Sequence, residues 1–387
     1  MKIISSILAF SLCTAFTSFS DSNYWMETGN LTNQKDSCIT ISISVVGDLM
    51  CHSPQFEYAK VDKDSFDFKP AFELVKNYLS ASDFTFGNLE TVTAGKEYGG
   101  YTGYPRFNTP SSYVTALKDA GFDLLTTANN HILDRGEIGV RKTIDEINKN
   151  DISYVGASLS QRDRDSIRII DIKGIKIAFL AYSYGTNGNR IPKGKKYLIN
   201  LIEFDLIKSD IERARKDGAE LILVNYHFGD EYKREPVKFQ RDVVDSTISY
   251  CADLITGGHP HVIQPLMFFK KKKANLDSGF VAYSMGNFFS NQRKRYTDGG
   301  MILTIKIQKD FSTNKITINE VEFIPTWVFK GNINDRKQYK IIPEFTDQTK
   351  CFYLSKDDSL NMFHSYMDTK EIVKKYSDSP LIREFHK

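Results

Sequence analysis

The chain of 387 residues lacks most of the features that define special classes of protein. Beyond its first twenty residues no apolar run is long enough to cross a bilayer, so no transmembrane helix is expected there. Basic and acidic residues nearly balance, 51 against 48, and the net charge of +3 argues against a nucleic-acid partner. Glycine (24) and proline (11) are too few for a fibrous chain. With 41% hydrophobic and 26% charged residues, the composition is that of a globular protein.

The first twenty residues, MKIISSILAFSLCTAFTSFS, contain the apolar run of the N-terminus. Lys2 supplies a positive charge, the apolar stretch follows it, and the small residues Ser18 and Ser20 offer a cleavage position. This is the pattern of a secretory signal peptide, so we expect residues 1–20 to direct export to the periplasm or cell surface. A retained membrane anchor is the alternative.

Cysteine is scarce, with five residues in the chain. Cys13 follows Leu12, whereas a lipoprotein signal needs a small residue there, so a lipid anchor at Cys13 is not expected. The remaining four could form disulfides in an exported chain, but their wide spacing is typical of neither a zinc ribbon nor a disulfide framework: Cys38, Cys51, Cys251 and Cys351. Cys251 lies in the apolar pattern of a predicted helix and is expected in the core.

From about residue 40, short β-branched runs alternate with segments of helical periodicity. Residues 41–46 and 221–224 are typical strands, whereas 204–216 has helical spacing and is followed by Gly218. Further helices are predicted at 70–80, at 137–148, from Pro236 to about Cys251, and at 369–376. Strands that alternate with helices predict an α/β fold, in which helices cover the faces of a sheet.

The pattern also predicts the division into domains. Residues 40–330 are expected to form one domain after the signal peptide at 1–20. Beyond about residue 299 the predicted strands have no helix between them, which indicates a β-rich closing segment. From 331 the chain is polar and aromatic, so 331–387 is predicted to be a C-terminal appendage.

Polar residues cluster where the predicted strands end. In an open α/β sheet, ligands bind at the carboxyl ends of the strands, so these clusters are expected to meet. The clusters are GDLMCH at 47–52, GNLE at 87–90, ANNH at 128–131, NYHFGDE at 225–231, GGHPH at 257–261 and SMGN at 284–287.

Five of the seven histidines of the chain lie in these clusters, together with carboxylates and amides: His52, His131, His227, His259 and His261, with Asp48, Glu90 and Asn130. Imidazole, carboxylate and amide groups in combination suit divalent transition metals such as Mn, Zn, Fe or Ni. The candidate ligands are more numerous than one four-coordinate zinc requires. We therefore predict two ions, Mn, Zn or Fe, that share a carboxylate, activate water and stabilise the transition state of a hydrolysis.

Six of these stretches, in this order, resemble the bacterial capsule synthesis CapA family, whose members are linked to poly-γ-glutamate capsules. They are GDLM (47–50), NLET (88–91), ANNHILDRG (128–136), HFGDEYKREPVKFQ (227–240), GGHPHVIQP (257–265) and YSMGNF (283–288), with a weaker match at RFNTP (106–110). Together they cover about residues 41–290. The resemblance implies the fold of the metal-dependent phosphatases, an αββα sandwich with a metal site at the strand ends.

The resemblance extends to the calcineurin-like metallophosphoesterases and implies roles for single residues. His131 corresponds to the histidine that acts on the leaving group or on the developing charge. The metal ligands implied by the resemblance are Asp48, Asn130, His227, His259 and His261.

The sequence departs from that superfamily at two positions. Its first motif is Asp-x-His, whereas Asp48 and His52 are four residues apart. Glu90 stands in the motif that carries the bridging aspartate. We assign His52 and Glu90 as further metal ligands, with Glu90 as the candidate bridging carboxylate.

Glu231 follows His227 by four residues and allows two interpretations. If it faces the site, it acts as a general base or binds substrate. Otherwise it is a loop carboxylate that pairs with Lys233 or Arg234.

Three functions remain open at the level of sequence. The first is an exported metal-dependent hydrolase that cleaves a phosphoester or an amide. The second is a non-hydrolytic envelope component that binds or guides an anionic capsule polymer beside other capsule-assembly proteins. The third is metal-assisted proton abstraction, such as epimerisation of an amino-acid residue, with Glu231 or a histidine as the base.

Overall fold

A computed structural model of the protein describes residues 37–271, 276–377 and 379–385. The predicted signal peptide and Cys13 lie outside these residues. The strands are β1 (Cys38–Leu49), β2 (Lys60–Asp62), β3 (Ser65–Phe66), β4 (Phe84–Leu89), β5 (Leu124–Thr126), β6 (Ser153–Val155), β7 (Arg168–Ile172), β8 (Ile175–Ser183), β9 (Leu221–His227), β10 (Leu254–Gly258), β11 (Leu266–Lys270), β12 (Ser278–Ala282), β13 (Asn287–Phe289), β14 (Gly299–Asp310), β15 (Lys315–Ile333), β16 (Arg336–Pro343) and β17 (Ile382–Glu384). The α-helices are α1 (Ser53–Ala59), α2 (Lys69–Phe72), α3 (Lys76–Ser80), α4 (Ser112–Ala120), α5 (Gly136–Lys149), α6 (Gln161–Asp165), α7 (Phe204–Lys216), α8 (Lys238–Ser249) and α9 (Lys356–Tyr376).

The strands of the described residues form two main sheets and the small β2–β3 hairpin. The larger sheet has the order β16-β15-β14-β1-β4-β5-β6, with β13 beside β1 and β17 beside β15. The smaller sheet has the order β11-β12-β10-β9-β8-β7. Strands β1, β4, β5 and β6 are mutually parallel, as are β8, β9, β10 and β12. Within each of these sets, therefore, the carboxyl ends of the strands lie at one edge of the sheet.

The two sheets pack face to face through aromatic side chains. Phe84 and Phe86 of β4 contact Phe179 of β8, with ring centroids 5.0 and 5.7 Å apart. Thr85, which points to the opposite face of β4, donates a hydrogen bond to the main-chain oxygen of Leu79 in α3. On the far side of the smaller sheet, α7 and α8 bury their apolar faces. This is an αββα sandwich, and the predicted fold class is confirmed.

The predicted helices agree with the structure to different degrees. Helix α7 has the predicted bounds, because its apolar residues recur at regular helical spacing. The predicted helix at 70–80 is divided into the short helices α2 and α3. Among the helices that the structure describes, none combines the length and apolar character needed to cross a bilayer.

Helix α9 begins at Lys356, well before its predicted start. The Ser355 hydroxyl and the Asp358 carboxylate form a capping box at this point. The buried face of the helix carries polar side chains, among them Ser365 and Asp368. A polar buried face produces little apolar periodicity, which is why the sequence pattern indicated only the end of this helix.

The predicted boundary at residue 331 falls inside a strand. Strand β15 continues to Ile333, and β16 pairs with it in antiparallel register. Strand β17 then returns to the same sheet beside β15. Residues 331–343 therefore share the hydrogen bonds of the larger sheet, and the chain departs from that sheet only after Pro343.

The prediction that Cys251 lies in the core is wrong. Its side chain is exposed, and its φ of +72° places it in the left-handed region just after α8. The residue thus ends the helix and does not belong to its apolar stripe. All four cysteines that the structure describes are free thiols.

We expect Asp210→Asn to destabilise the fold by about 3–5 kcal/mol, the usual effect of breaking a buried ion pair. Asp210 is buried in α7 and accepts hydrogen bonds from both Arg164 Nη atoms at 2.9 and 2.6 Å and from the Tyr182 hydroxyl at 2.7 Å. The change leaves a buried guanidinium without its main counter-charge. The free energy of unfolding in denaturant measures the effect. The control is Asp165→Asn, because that carboxylate is half exposed and lies 3.6 Å from Arg164. Equal destabilisation by the two variants would contradict the expectation.

Candidate metal centre

The parallel strands continue into the predicted polar clusters and carry them to one edge of the sandwich. Asp48 lies near the end of β1, Asn88 near the end of β4, and His227 at the end of β9. Because the two sheets pack face to face, residues from both of them meet at this edge.

Asp48 is fully buried and links the two sheets. Its Oδ1 accepts a hydrogen bond from Asn88 Nδ2 at 2.9 Å, and its Oδ2 accepts one from the main-chain N–H of His259 at 3.1 Å. The same Oδ2 lies 3.1 Å from Nδ1 of His261. Burial acts to raise the pKa of Asp48, but the hydrogen bond and charge of His261 outweigh it and hold this pKa below its ordinary value. Asp48 is therefore an ionised carboxylate.

The close approach of β10 to Asp48 depends on Gly258. A Cβ atom at this position would lie 2.4 Å from Asp48 Oδ1, so only glycine fits. The next turn holds His259 and His261 at φ values of +92° and +58°. Such conformations cost of order 1–3 kcal/mol for residues other than glycine and are typical of functional sites. The turn thus brings two imidazoles beside one carboxylate at a cost in backbone strain.

Glu90 lies at the centre of the cluster. It is 0% exposed, and neither carboxylate oxygen has a hydrogen-bond partner among the described residues. Its Oε1 lies 3.5 Å from His227 Nε2 and 3.9 Å from His261 Nε2. Burial raises the pKa of Glu90 to about 8, and the charge of Asp48 adds to the effect. A buried carboxylate without hydrogen bonds is costly, and a bound cation is the group that would satisfy it.

Among the described residues, three overlapping sets of side chains have ligand atoms within 4.8 Å of one another: Glu90–His227–His259, Asp48–Glu90–His261 and Glu231–His259–His261. Glu90 is common to the first two sets. Nδ1 of His259 is also buried and has no hydrogen-bond partner in the part of the chain that the structure describes. Imidazole nitrogens and carboxylate oxygens are the donors that divalent transition metals prefer, so the residues fit the predicted ions.

The histidines of the cluster differ in charge. Burial lowers the pKa of His227 to about 3 and that of His259 to about 2, so both rings are neutral, as a ligand must be. Burial acts in the same direction on His261, but the carboxylates of Glu90 and Asp48 raise its pKa to about 9. His261 would therefore have to release this proton before it could bind an ion.

Asn130 enters the cluster through its amide. Its Oδ1 lies 2.8 Å from Nε2 of His227, and its Nδ2 donates to Oδ1 of Asn187 at 3.1 Å. The amide orientation therefore directs oxygen towards the cluster, as a ligand requires.

His131 is held by a carboxylate and belongs to none of the three ligand sets. Its Nδ1 lies 2.7 Å from Asp134 Oδ2, which also accepts the main-chain N–H of Phe107 at 2.7 Å. The ring stands edge-on to Phe107, and its Nε2 faces Asn187 at 3.5 Å. A carboxylate behind an imidazole fixes the tautomer and the orientation of the ring. This arrangement suits a group that transfers a proton.

The structure does not bring His52 into any of the three sets. Its main-chain N–H donates to Oε1 of Gln55 at 2.8 Å at the start of α1. Its Nδ1 lies 3.1 Å from the same Oε1 and 3.4 Å from the main-chain nitrogen of Asn291. Burial lowers the pKa of His52 to about 4. A role for His52 as a metal ligand stays a prediction.

Glu231 lies at the exposed side of the cluster, in one set with His259 and His261. Arg234, one of its predicted partners, is engaged elsewhere. Its Nη2 donates to the main-chain oxygen of Asp368 at 2.5 Å, and its guanidinium lies over the ring of Tyr296. The geometry thus favours the interpretation in which Glu231 faces the site.

Sequence reasoning missed Tyr184, Asn187 and Asp134. Tyr184 follows β8, and its ring centroid lies 4.4 Å from that of His259. A polar run, SYGTNGN at 183–189, follows β8 as the other clusters follow their strands, so the same rule would have found it. Asp134 lies inside the matched stretch at 128–136, three residues after His131, a spacing that signals a contact within one turn.

Comparison with known proteins places these residues in one family. The family model described as "Bacterial capsule synthesis protein PGA_cap" matches residues 42–292. The chain is 28% identical over 334 residues to the "PGA biosynthesis protein CapA" of Bacillus subtilis (strain 168). This alignment covers 85% of this chain and 83% of the relative. It is 26% identical over 343 residues to the "Capsule biosynthesis protein CapA" of Bacillus anthracis. This second alignment covers 87% of this chain and 80% of the relative.

Among solved structures, the calcineurin-like phosphoesterase YfkN of Bacillus subtilis gives a TM-score of 0.40 at 12% identity, over 88% of this chain and 99% of that one. This similarity is too low to bear on function. The match at 42–292 spans more than half of the chain and contains every residue of the three ligand sets. The chain therefore belongs to the bacterial capsule synthesis protein family PGA_cap.

Proposed function

We propose that this protein is an exported metal-dependent hydrolase that cleaves a phosphoester or an amide bond during the biosynthesis of a capsule polymer. The observation that carries this proposal is the environment of Glu90. Its buried carboxylate has no hydrogen-bond partner among the described residues and is shared by two sets of ligand-type side chains. Structural packing alone does not account for a carboxylate in such a position.

Two divalent ions, Mn, Zn or Fe, would share Glu90 as a bridging ligand. His227 and His259, with the amide oxygen of Asn130, would hold one ion. Asp48 and His261 would hold the other. When bound, such ions activate water and stabilise the charge that develops on the scissile group.

The remaining residues would handle protons and substrate. Because Nδ1 of His131 faces Asp134, Nε2 would be the atom that exchanges a proton with the leaving group. Glu231, at the exposed side, would act as a general base or contact the substrate. The ring of Tyr184 packs against that of His259.

The sequence and the relatives support a setting at the cell envelope. The predicted signal peptide at 1–20 would export the chain to the periplasm or cell surface. Two relatives are named for the biosynthesis of capsule or PGA, which supports an anionic envelope polymer or its precursor as the substrate. Other capsule-assembly proteins would then be its partners.

The metal content of the mature chain tests the proposal. Elemental mass spectrometry on the protein that begins at Asp21, purified without added metal, is expected to find about two equivalents of a transition metal. The double variant His259→Ala/His261→Ala should lose both ions and hydrolyse neither a phosphodiester nor a γ-glutamyl amide probe. The control is His364→Ala, an exposed histidine on α9. Turnover that persists in the metal-free double variant would refute a metal-dependent hydrolase.

The position of His52 favours a second candidate, a non-hydrolytic component that binds or guides an anionic polymer. His52 contacts Gln55 and lies outside the ligand sets, so the site departs from a complete phosphatase pattern. Bound ions would then bridge to the carboxylates of the polymer. In this case the metal-loaded protein should bind polyglutamate and leave its length unchanged. Unaltered surface polymer after deletion of the gene, in a strain that makes one, would exclude this candidate.

A further inference from the structure

We propose that the C-terminal helix α9 is a brace that holds Glu231 against the metal centre, with Asp368 as its positioning residue. This inference rests on the proposed function and extends it, because it makes Glu231 a further metal ligand beside His259 and His261. The segment between β9 and α8, residues 228–237, is called the Glu231 loop.

The Glu231 loop passes over His261 in a conformation that its neighbours impose. The main-chain N–H of Tyr232 donates to the oxygen of Pro260 at 2.8 Å, and the ring centroid of Tyr232 lies 6.3 Å from that of His261. The φ of Tyr232 is +67°, in the left-handed region. A non-glycine residue stays in this region only when surrounding contacts hold it there. Glu231, the preceding residue, thus depends on contacts made by the rest of the loop.

Helix α9 supplies one of these contacts through the main chain of Asp368, and the side chain of Asp368 holds the neighbouring segment with Arg295 and Tyr296. The Asp368 carboxylate accepts two hydrogen bonds from Arg295, at 3.0 and 2.8 Å, a bidentate pair. Its main-chain oxygen accepts the hydrogen bond from Arg234, three residues after Glu231. The ring of Tyr296 lies under both guanidinium groups, 4.5 Å from Arg234 and 4.9 Å from Arg295. Asp368 therefore holds the Glu231 loop directly through its main chain, and indirectly through its carboxylate, which fixes the segment whose Tyr296 ring packs against Arg234.

A second contact ties the end of the loop to the end of the helix. Glu235 accepts hydrogen bonds from Lys375 Nζ, at 3.0 Å, and from the hydroxyl of Tyr376. The Lys375 and Glu235 side chains are each more than half exposed, so this pair adds less than the Asp368 contacts.

Helix α9 is itself held on the larger sheet. Tyr366 packs in an apolar cluster with Trp327, Phe329 and Ile342. Its hydroxyl donates to the main-chain oxygen of Ile342 at 2.9 Å. A continuous set of contacts therefore runs from the sheet through α9 to the Glu231 loop. Without it, the loop would still be held by Pro260 and Gln264, but it would have more freedom to lose when Glu231 binds an ion, which costs conformational entropy.

A double-mutant cycle on metal affinity tests the brace. The mature full chain, stripped of metal, is titrated with Mn²⁺ by calorimetry as wild type, Glu231→Gln, Asp368→Asn and the double variant. Because supporting partners of a metal site typically contribute roughly 10–100-fold in affinity, Asp368→Asn should weaken the binding of at least one ion by about 10-fold. Glu231→Gln should weaken it by at least as much. The double variant should bind no more weakly than Glu231→Gln, because Asp368 acts through Glu231.

Two variants serve as matched controls. Asp230→Asn removes an exposed carboxylate from the same loop, and Asp357→Asn removes one from the first turn of α9. Both should bind Mn²⁺ with wild-type affinity. If Asp368→Asn does not fold, Arg234→Gln takes its place in the cycle, since it removes the hydrogen bond of the loop to the main-chain oxygen of Asp368 and the contact of the loop with Tyr296.

The outcomes separate the two proposals. An additive cycle, in which Asp368→Asn has its full effect in the Glu231→Gln background, would overturn the brace. Wild-type affinity in Glu231→Gln would overturn it as well, and both results leave the metal centre intact. Failure of the wild type to bind any Mn²⁺, Zn²⁺ or Fe²⁺ would overturn the proposed function itself.

Discussion

Replacing Glu90 with glutamine is expected to abolish metal binding and to leave the fold intact. Glu90 is common to two of the ligand sets, and a neutral amide cannot take the place of a carboxylate shared by two cations. Neither oxygen of Glu90 has a hydrogen-bond partner among the described residues, and glutamine has nearly the same volume. The substitution therefore removes no hydrogen bond that stabilises the protein.

Two measurements check this prediction. Elemental analysis should find less than about a tenth of the wild-type metal in Glu90→Gln, since metal affinity requires ionised ligands. Thermal unfolding with a chelator present should occur at the wild-type temperature. Asp210→Asn is the reciprocal control, because it should unfold earlier and keep its metal while folded. A Glu90→Gln protein that retains both ions would show that Glu90 is not a shared ligand.

Replacing Asp134 with asparagine is expected to lower turnover by about 100-fold or more, within the range that general acid–base groups contribute. Asp134 holds His131 through a 2.7 Å contact to Nδ1, and asparagine offers no charge to stabilise the protonated ring. The Oδ atom of asparagine can still accept the N–H of Phe107, so the local backbone should keep its conformation. Metal content should not change, because neither Asp134 nor His131 belongs to a ligand set among the described residues.

Turnover of a phosphodiester probe such as bis(4-nitrophenyl) phosphate measures this effect. Asp134→Asn, His131→Ala and the double variant should be about equally slow, because the two residues act as one unit. The control is Asn189→Ala, whose Nδ2 makes a long 3.4 Å contact with the other oxygen of Asp134. Normal turnover in Asp134→Asn, or loss of metal from it, would contradict a proton-transfer role for the pair.

The parts of the fold that the sequence predicted are those with strong local patterns. Helix α7 was predicted with its observed bounds, since one face is apolar and a glycine follows its end. The ligand-type residues were predicted to meet because the carboxyl ends of parallel strands share an edge. Helix α9 was predicted only in part, because its buried face carries polar groups such as Asp368. The contacts of this helix with the Glu231 loop could not be predicted from hydrophobic periodicity.

What the sequence determined by itself is the chemistry available at the strand ends: the imidazoles, carboxylates and amides, and the order in which they occur. Only the tertiary structure decided which of them combine. It leaves the Glu90 carboxylate without a hydrogen-bond partner among the residues described, and it turns His52 towards Gln55. It also sets the main-chain N–H of His259 against Asp48, 211 positions earlier in the chain. Spacing along the chain constrains contacts within one helical turn or one strand. Contacts between distant segments depend on how two sheets and a C-terminal helix pack, and that packing follows from burial summed over the whole core.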